Sequence, residues 1–371
     1  MKKTIDIIII GAGASGLMLG ALLGKRRNFL ILEHNSQVGS KILISGGGRC
    51  NFTNKNLKVD NYLGNRKFIK SILGKFNQND LLLWLKNRGL NYILRKDNQY
   101  FCKNSAKEIV DIFKREIDNR KIKLNTKVIS VTKNKDEVFQ IETNRGDFFA
   151  KKVVVASGGL SFAKVGATDI GYKIAKGFGH NIFTLNPALV GFTLQPHQFF
   201  FKELSGISTE VEVLVGEKKF RGSMLFTHRG ISGPVILNAS LYWLKGKISI
   251  NFLPNLDIDK IKSSKKKLSN LLNLPNRLSK ALLRELDINE EYKKIYKLKE
   301  YCFSPAGTFG YNKAEVTKGG ISTSEVYNSN MMSHKEKNLY FLGEVLDVTG
   351  ELGGYNFQWA FSTAYVCAKA I

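Results

Sequence analysis

The first apolar run of the chain, residues 5–10, has strand length and leads straight into Gly11-Ala12-Gly13-Ala14-Ser15-Gly16. Residues 17–23 then read as an apolar helix, and residues 29–32 as a second strand that ends at Glu33. Near the other end, residues 339–342 form another short apolar run closing on Gly343 and Glu344, and residues 357–371 read as the last helix. A further strand, from residue 152 onward, ends in the small residues before Gly158 and Gly159. The middle of the chain is patterned differently. From Val190 into the 250s, short apolar runs at 191–194, 211–215 and 247–253 alternate with glycine and polar turns, which are strand signals. Across 256–300 the apolar positions fall at helical spacing, Leu268, Leu271, Leu272 and then Leu278, Leu282, Leu286, with Pro275 as a breaker. This predicts an α/β protein interrupted by a β part and a small helical part.

The opening strand, turn and helix carry the first chemical signal. In a GxGxxG at such a turn, Gly11 permits the tight bend and Gly13 lets backbone amides approach a pyrophosphate. Gly16 lets the helix pack on the strand, and the amides of Ala14 and Ser15 open a helix N-terminus that favours phosphate. Glu33 stands where a carboxylate accepts hydrogen bonds from adenosine ribose hydroxyls. Dinucleotide binding alone leaves NAD and FAD open. After Glu33, however, the chain runs through Ser40 and Lys41 into SGGGRCNFTN, residues 45–54, a composition suited to neither a regular helix nor a regular strand. A polar, glycine-rich loop following directly on the ribose site suits an extended cofactor with a flavin ring, and Gly48, Arg49 and Asn51 are its candidate contacts. Gly158, Gly343, Glu344, Asn356 and Phe357, from the other short runs, and Val128 complete the candidate FAD set. The N-terminus of the last helix would face the flavin pyrimidine, where a positive helix end stabilises the negative charge of the reduced ring.

Charge alters the picture more than composition does. With 43% hydrophobic residues, 371 residues fit a globular protein with a substantial core. The apolar runs are far too short to span a bilayer, and the N-terminus lacks a signal-type cleavage site, so a cytoplasmic location is expected. Cys50, Cys102, Cys302 and Cys367 are scattered without ligand spacing, which predicts free thiols and no bound metal. Against this ordinary background, 57 Lys and Arg oppose 31 Asp and Glu, a formal charge of +26. A nucleotide-composition bias inflates Lys, Asn and Ile together, yet it does not deplete Glu, so a polyanionic partner is expected.

The stretches SKILISGGGRCNFTN, THRGISGP, KAEVTKGGIS and LYFLGEVLDVTGELGGYNFQWAFS resemble the signatures of the BaiN/RdsA flavoproteins along the whole chain. The resemblance implies a Rossmann-like two-dinucleotide-binding FAD fold with an inserted β-barrel-like part and a small helical subdomain. The corresponding boundaries are residues 1–189 and 326–371 for the FAD-binding domain, 190–254 and 304–325 for the β insertion, and 255–303 for the helices. The family is associated with reduction of unsaturated bile-acid intermediates, with aminoacetone oxidation and with making dihydrouridine in large-subunit ribosomal RNA. One departure is the sequence Phe101-Cys102-Lys103, where relatives commonly carry Phe-Pro.

Three readings follow. In the first, FAD reduced by NADH or NADPH delivers hydride to C6 of a uridine in ribosomal RNA while an acid protonates C5. Cys50, in the loop turning toward the ring, is the candidate acid, and a small residue packed beneath the flavin is its plain alternative. His228, beside Arg229, is a second catalytic candidate and equally a structural turn histidine. Lys265, Lys266 and Lys267, with the lysines at 260 and 262 and the basic stretch from Lys55 to Lys75, are the candidate RNA-binding surface. Phe199, Phe200 and Phe201 would stack bases or, more simply, pack in a core. The second reading is a small-molecule ene-reductase or amine oxidase, which needs no basic surface. The third is an RNA-binding assembly factor holding FAD structurally. No second GxGxxG marks a separate nicotinamide domain, so the choice between NADH and NADPH stays open.

Overall fold

The computed structural model describes residues 4–257, 267–288 and 291–371. The chain divides into two compact units, Met1–Asn186 with Val316–Ile371, and Pro187–Glu315. Residues 316–325, expected with the inserted part, therefore belong to the first unit.

The first unit is built on a parallel core. Thr4–Ile10 lies between Phe29–Leu32 and Phe148–Val155, parallel to both, and Leu339–Phe341 adds in parallel beyond Phe148–Val155. Ile122–Lys123 extends the opposite edge beside Phe29–Leu32. Such strands are covered on both faces, which is why they read as continuous apolar runs instead of alternating ones. Ile8, Ile9, Ile31, Val153, Val154 and Phe341 are fully buried. An antiparallel meander, Val128–Lys133 and Phe139–Thr143, feeds into the early half of Phe148–Val155. The helices Ala14–Leu23 and Tyr355–Ala368 are buried on most sides within this unit, the second with Gln358, Ser362 and Thr363 among its buried residues. This is the Rossmann-type α/β arrangement, whose ligand crevice lies at the carboxyl ends of the parallel strands.

The second unit is antiparallel. Its seven-stranded sheet runs Tyr301–Phe303, Ile248–Asn251, Ser208–Val215, Lys218–Thr227, Gly230–Ser232, Phe192–Thr193, Gly307–Thr308. The two edge strands are consecutive in the chain. Only residues 304–306 separate them, so Phe303 and Gly307 lie within roughly 14 Å, four extended steps, and the sheet curls until its edges approach. Two helices, Leu268–Leu271 and Asn276–Glu285, share its core. Leu268, Leu278 and Leu282 pack into the cluster that also holds Phe201, Phe226, Phe252 and Phe303. Pro275 directly precedes the second of these helices, as its role of breaker requires. No described helix is long and apolar enough to cross a membrane.

Candidate functional site: a dinucleotide and flavin cradle

The glycine turn is shaped by what surrounds it. Gly11 sits at φ +104, and a Cβ there would come 2.7 Å from Ala156 O. A Cβ on Gly16 would meet Gly11 O at 1.9 Å, so the helix start is pressed against the turn. Gly13, by contrast, has nothing within 4 Å of where its Cβ would be, and it caps the helix with no side-chain hydrogen bond. The first-turn amides of Ala14, Ser15 and Gly16 have no intrahelical acceptor and open beside that clear space. This is a fit for a pyrophosphate. Glu33 is nearly buried, accepting from Ala12 N through Oε2 at 2.7 Å and from Asn35 N through Oε1 at 2.8 Å. Oε2, with Ala12 N as its one partner among the described residues, keeps a lone pair for a ribose hydroxyl, while Oε1 also has His34 Nδ1 at 3.2 Å. Thr126 N donates to Glu33 O at 2.8 Å, which carries buried Val128, two residues on, alongside the acidic strand end.

The SGGGRCN stretch is half helix and half turn. Ser40–Gly48 starts as a helix, but Ser45 is extended and Gly46 and Gly47 have φ +56 and +64, a left-handed turn that reverses the chain. Asn51–Asn54 then forms a strand. Cys50 occupies φ +45, unusual for a residue with a side chain, and it is fully buried. Burial pushes its thiol up to about 12, offset in part by Ser45. Arg49 is exposed, and Gly48 O accepts from Ala106 N at 2.8 Å.

Long-range bonds bring the chain ends together around this turn. Lys41 Nζ meets Glu344 Oε2 at 2.8 Å, and Glu344 Oε1 accepts from Thr317 N at 2.9 Å. Gly158 lies beside the same carboxylate, the position of a Cβ there being 3.9 Å from Oε2. Gly343 N donates to Thr363 Oγ1 at 3.0 Å, and Trp359 Nε1 donates to Gly343 O at 3.1 Å. Asn51 is satisfied with Oδ1 accepting from Gly354 N at 3.1 Å and its amide nitrogen donating to Thr53 O and Tyr100 O. Asn54 Nδ2 donates to Gly353 O at 3.1 Å, and Thr53 Oγ1 to Gln358 Oε1 at 2.6 Å. Asn356 closes the preceding loop, accepting from Gly350 N and donating to Gly350 O, both at 2.8 Å. The glycine loop and the N-terminus of the last helix are thus one structure. That terminus has Gly354 as its cap, with neither a side-chain cap nor an acid in its first turn, so its positive end is not neutralised locally. Phe357, half-buried in that first turn, lies 6.2 Å ring to ring from Phe361.

Three residues outside the sequence reading join the cradle. Thr317 Oγ1 accepts from Leu160 N at 2.8 Å and Ser161 N at 3.2 Å, fixing the loop after Phe148–Val155. Lys318, the next residue, is buried, and burial lowers its ammonium to about 8. Asp347 is half-buried, and its carboxyl is raised by that burial. The KAEVTKGGIS stretch holds the first two, and a lysine flanked by threonine and paired glycines in a short strand was the available signal.

The chain matches the HI0933-like protein Rossmann domain family over residues 5–370. It belongs to that family. Relatives of this HI0933-like protein include two named ribosomal RNA dihydrouridine synthase. The one from Escherichia coli is 40% identical over 98% of this chain and 97% of its own. The one from Haemophilus influenzae is 39% identical over 100% and 99%. A 3-dehydro-bile acid delta(4,6)-reductase from Clostridium scindens is 29% identical over 98% of each. Among solved structures, a 3-ketosteroid-delta4-(5alpha)-dehydrogenase from Rhodococcus jostii superposes with TM-score 0.54 at 11% identity, covering 100% of this chain and 98% of that one, a likeness of fold alone. The HI0933-like chain is an FAD-dependent oxidoreductase of Rossmann type.

The remaining candidates belong to the second unit by sequence. His228 is an exposed residue of the second unit, in the turn where Thr227 Oγ1 accepts from Gly230 N at 3.1 Å. Its neighbour Arg229 lies over the Phe309 ring at 4.9 Å. Lys267 is exposed just before Leu268–Leu271, while Lys265 and Lys266 lie outside the described residues. Phe201 is fully buried, whereas Phe199 is exposed with Lys202 Nζ 3.5 Å from its ring centre. Among the described residues no cluster of His, Cys, Asp or Glu is arranged to hold a metal.

Proposed function

We propose that this protein reduces a uridine to dihydrouridine in large-subunit ribosomal RNA, with NADH or NADPH as the source of electrons. The observation that carries this reading is the end-to-end similarity, 40% and 39%, to two proteins named for that activity. The bile-acid relative supports the same chemistry in another substrate, because its name describes reduction of carbon–carbon double bonds in an oxidised steroid. In uracil the C5–C6 double bond is conjugated with the C4 carbonyl. FAD held in the cradle and reduced by NADH or NADPH would supply the hydride that such a bond accepts at C6.

The chain's own residues then have three tasks. Gly13, Ala14 and Ser15 offer amides to the pyrophosphate, and Glu33 takes the ribose. Lys41 and Glu344, tied to Thr317, hold the middle of the cofactor, and the end of the last helix at Gly354 places positive potential at the far edge of the ring. A proton must finally reach C5. Among the described residues, Cys50, Lys318 and Asp347 are the candidate proton sources at the cradle, and the strand of Lys318 is fixed to Glu344 and to the loop at Leu160 through its neighbour Thr317. The Cys50 thiol is protonated but fully enclosed, and its burial makes it a poor donor. Lys318, lowered to about 8, is protonated at neutral pH yet close to the range in which a general acid works, so we assign it the proton.

The reading is tested by mass spectrometry of ribosomal RNA from cells with and without the gene, followed by conversion of the unmodified RNA by purified protein and NADH or NADPH. Loss of one dihydrouridine and its restoration in vitro are expected. Unchanged RNA, together with turnover of a steroid enone, would favour the small-molecule reading instead.

A further inference from the structure

The turn of the flavin loop is covered by a small sheet. Asn51–Asn54 pairs with Gln99–Cys102, which pairs in turn with Tyr92–Leu94. The register sets Asn51 opposite Phe101 and Phe101 opposite Ile93, so these three share a face. On that face the Phe101 ring rests directly on the glycine turn, its Cε1 being 2.9 Å from where a Gly46 Cβ would stand. The hairpin that carries Phe101 turns through exposed Arg95, Lys96 and Asp97, with Asp97 and Asn98 both at positive φ. Arg95 N donates to Gln99 O at 2.9 Å, which fixes the base of the turn. The Arg95 guanidinium folds back over Phe101, 4.8 Å from the ring centre.

A basic group on a surface is ordinarily a solvated charge. Arg95 and Lys96, and Lys55 and Lys103 at the two ends of the same sheet, form no ion pair with an acid among the described residues, as is common on a +26 chain. What sets this group apart is its setting: Arg95 is a planar cation held over an aromatic ring that itself rests on the glycine turn. A flat π-surface bordered by unpaired positive charge is what sequence-tolerant binders of single strands present to bases and phosphates.

We propose that this hairpin turn is a clamp for single-stranded RNA at the mouth of the flavin site. Arg95, lying on Phe101, stacks a base next to the one that enters the site, and Lys96 contacts the adjoining phosphate. A target base must leave its stack to react, so its neighbours need a holder of this kind. The inference rests on the RNA reading given above and adds the place at which the strand is held.

The test uses the full-length, FAD-loaded protein and a uridine-containing single-stranded oligoribonucleotide, with its duplex as comparator, followed by fluorescence anisotropy across a salt series. Arg95→Ala is expected to weaken single-strand binding about ten-fold, within the range of one lost base stack. Arg95→Lys keeps the charge and loses the plane, so it should leave the salt slope unchanged and still bind several-fold more weakly. Lys96→Gln should lower the salt slope by about 0.7, one phosphate on a single strand. FAD absorbance and flavin reduction by NADPH should stay at parental levels in all three. Parental RNA binding in all three variants would overturn the clamp. Loss of FAD would overturn it as well, assigning the stack to folding of the cofactor loop, and slowed reduction by NADPH would assign it to the nicotinamide dinucleotide. If the parent neither binds nor reduces RNA, it is the functional reading that fails, and that outcome is visible before any variant is made.

Discussion

In the first unit, polar groups are buried in order to join segments that are distant in the chain. Lys41 reaches Glu344, Thr53 reaches Gln358 and Asn54 reaches Gly353, separations of 303, 305 and 299 residues. In the second unit the buried centre is aromatic. Phe201 lies 4.9 Å from Phe226, 5.7 Å from Tyr301 and 6.0 Å from Phe303, ring to ring, and the polar residues buried there, Gln198, Ser240 and Ser279, carry no charge. One unit uses its interior to position loops for a charged cofactor; the other uses it to hold a curled sheet together. Substitutions should therefore separate into those that change chemistry at little cost in stability and those that do the reverse.

The largest expected effect is chemical. Lys318→Gln should slow RNA reduction by about 10²- to 10⁴-fold, the usual worth of a positioned acid, while reduction of bound flavin by NADPH proceeds as before. In the parent, the rate of RNA reduction should fall as pH rises through about 8, where the ammonium gives up its proton, and the variant should lack that limb. Stopped-flow measurement of the two half-reactions separates these effects. The same pattern in Cys50→Ser, with Lys318→Gln unaffected, would return the proton to the thiol.

Next comes a substitution expected to touch stability alone. Phe201→Ala empties the centre of the aromatic cluster and should cost about 3 to 5 kcal/mol. Chemical denaturation should show that loss in the second unit, while the folded fraction at low denaturant keeps its FAD. A colourless but fully folded variant would erase the distinction between the units. Glu33→Ala is the converse. It removes the acceptor of Ala12 N and Asn35 N along with the ribose contact, and should weaken FAD by about 1.5 to 3 kcal/mol, roughly ten- to a hundred-fold, in a reconstitution titration.

The same contrast explains what could be read in advance. Thr4–Ile10, Ala14–Leu23, Phe29–Leu32 and Glu33 are legible because strand, glycine turn, helix and acid follow one another within a few dozen residues. The strands of the second unit show themselves as short apolar runs between glycine and polar turns, as with residues 211–215 of Ser208–Val215. Residues 45–54 showed an irregular backbone but not its path, because whether Ser45, Gly46 and Gly47 break a helix or extend a loop depends on Phe101 packing above them. Thr317 and Lys318 escaped for a related reason. Their strand pairs with Ile182–Ala188, and their roles exist only once Glu344 and the loop at Leu160 have been brought to them. Local pattern carries the elements, and contacts between the chain ends carry the site.

The smallest effect expected is one of pH on stability, and it sharpens the contrast because only the first unit has the groups for it among the described residues. His180 is buried, with Nε2 2.7 Å from Ser333 Oγ, Nδ1 3.2 Å from Glu325 Oε2 and its ring edge-on to Phe341. The charged and titratable groups facing it are Glu325, Lys335 and His334. Burial holds its pKa below the ordinary 6.5, against the pull of Glu325. The folded chain therefore keeps the ring neutral where the unfolded chain begins to protonate it. As pH falls through about 6.5, the unfolded state binds the additional proton, so stability declines and goes on declining until the lower folded value is reached. Glu325, which burial would raise but Lys335 and the Asn181 amide hold low, adds a second loss in more acidic solution as its carboxylate is protonated. Hydrogen exchange at pH 7.5 and 5.5 should show reduced protection around residues 180–182 and 323–341 at the lower pH, with the strands of the second unit unchanged. His180→Gln should remove that difference while lowering protection somewhat at both values, since Ser333 loses its ring partner. Equal acid sensitivity in Ser208–Val215 would show that a general charge effect of the +26 chain, and not this histidine, sets the response.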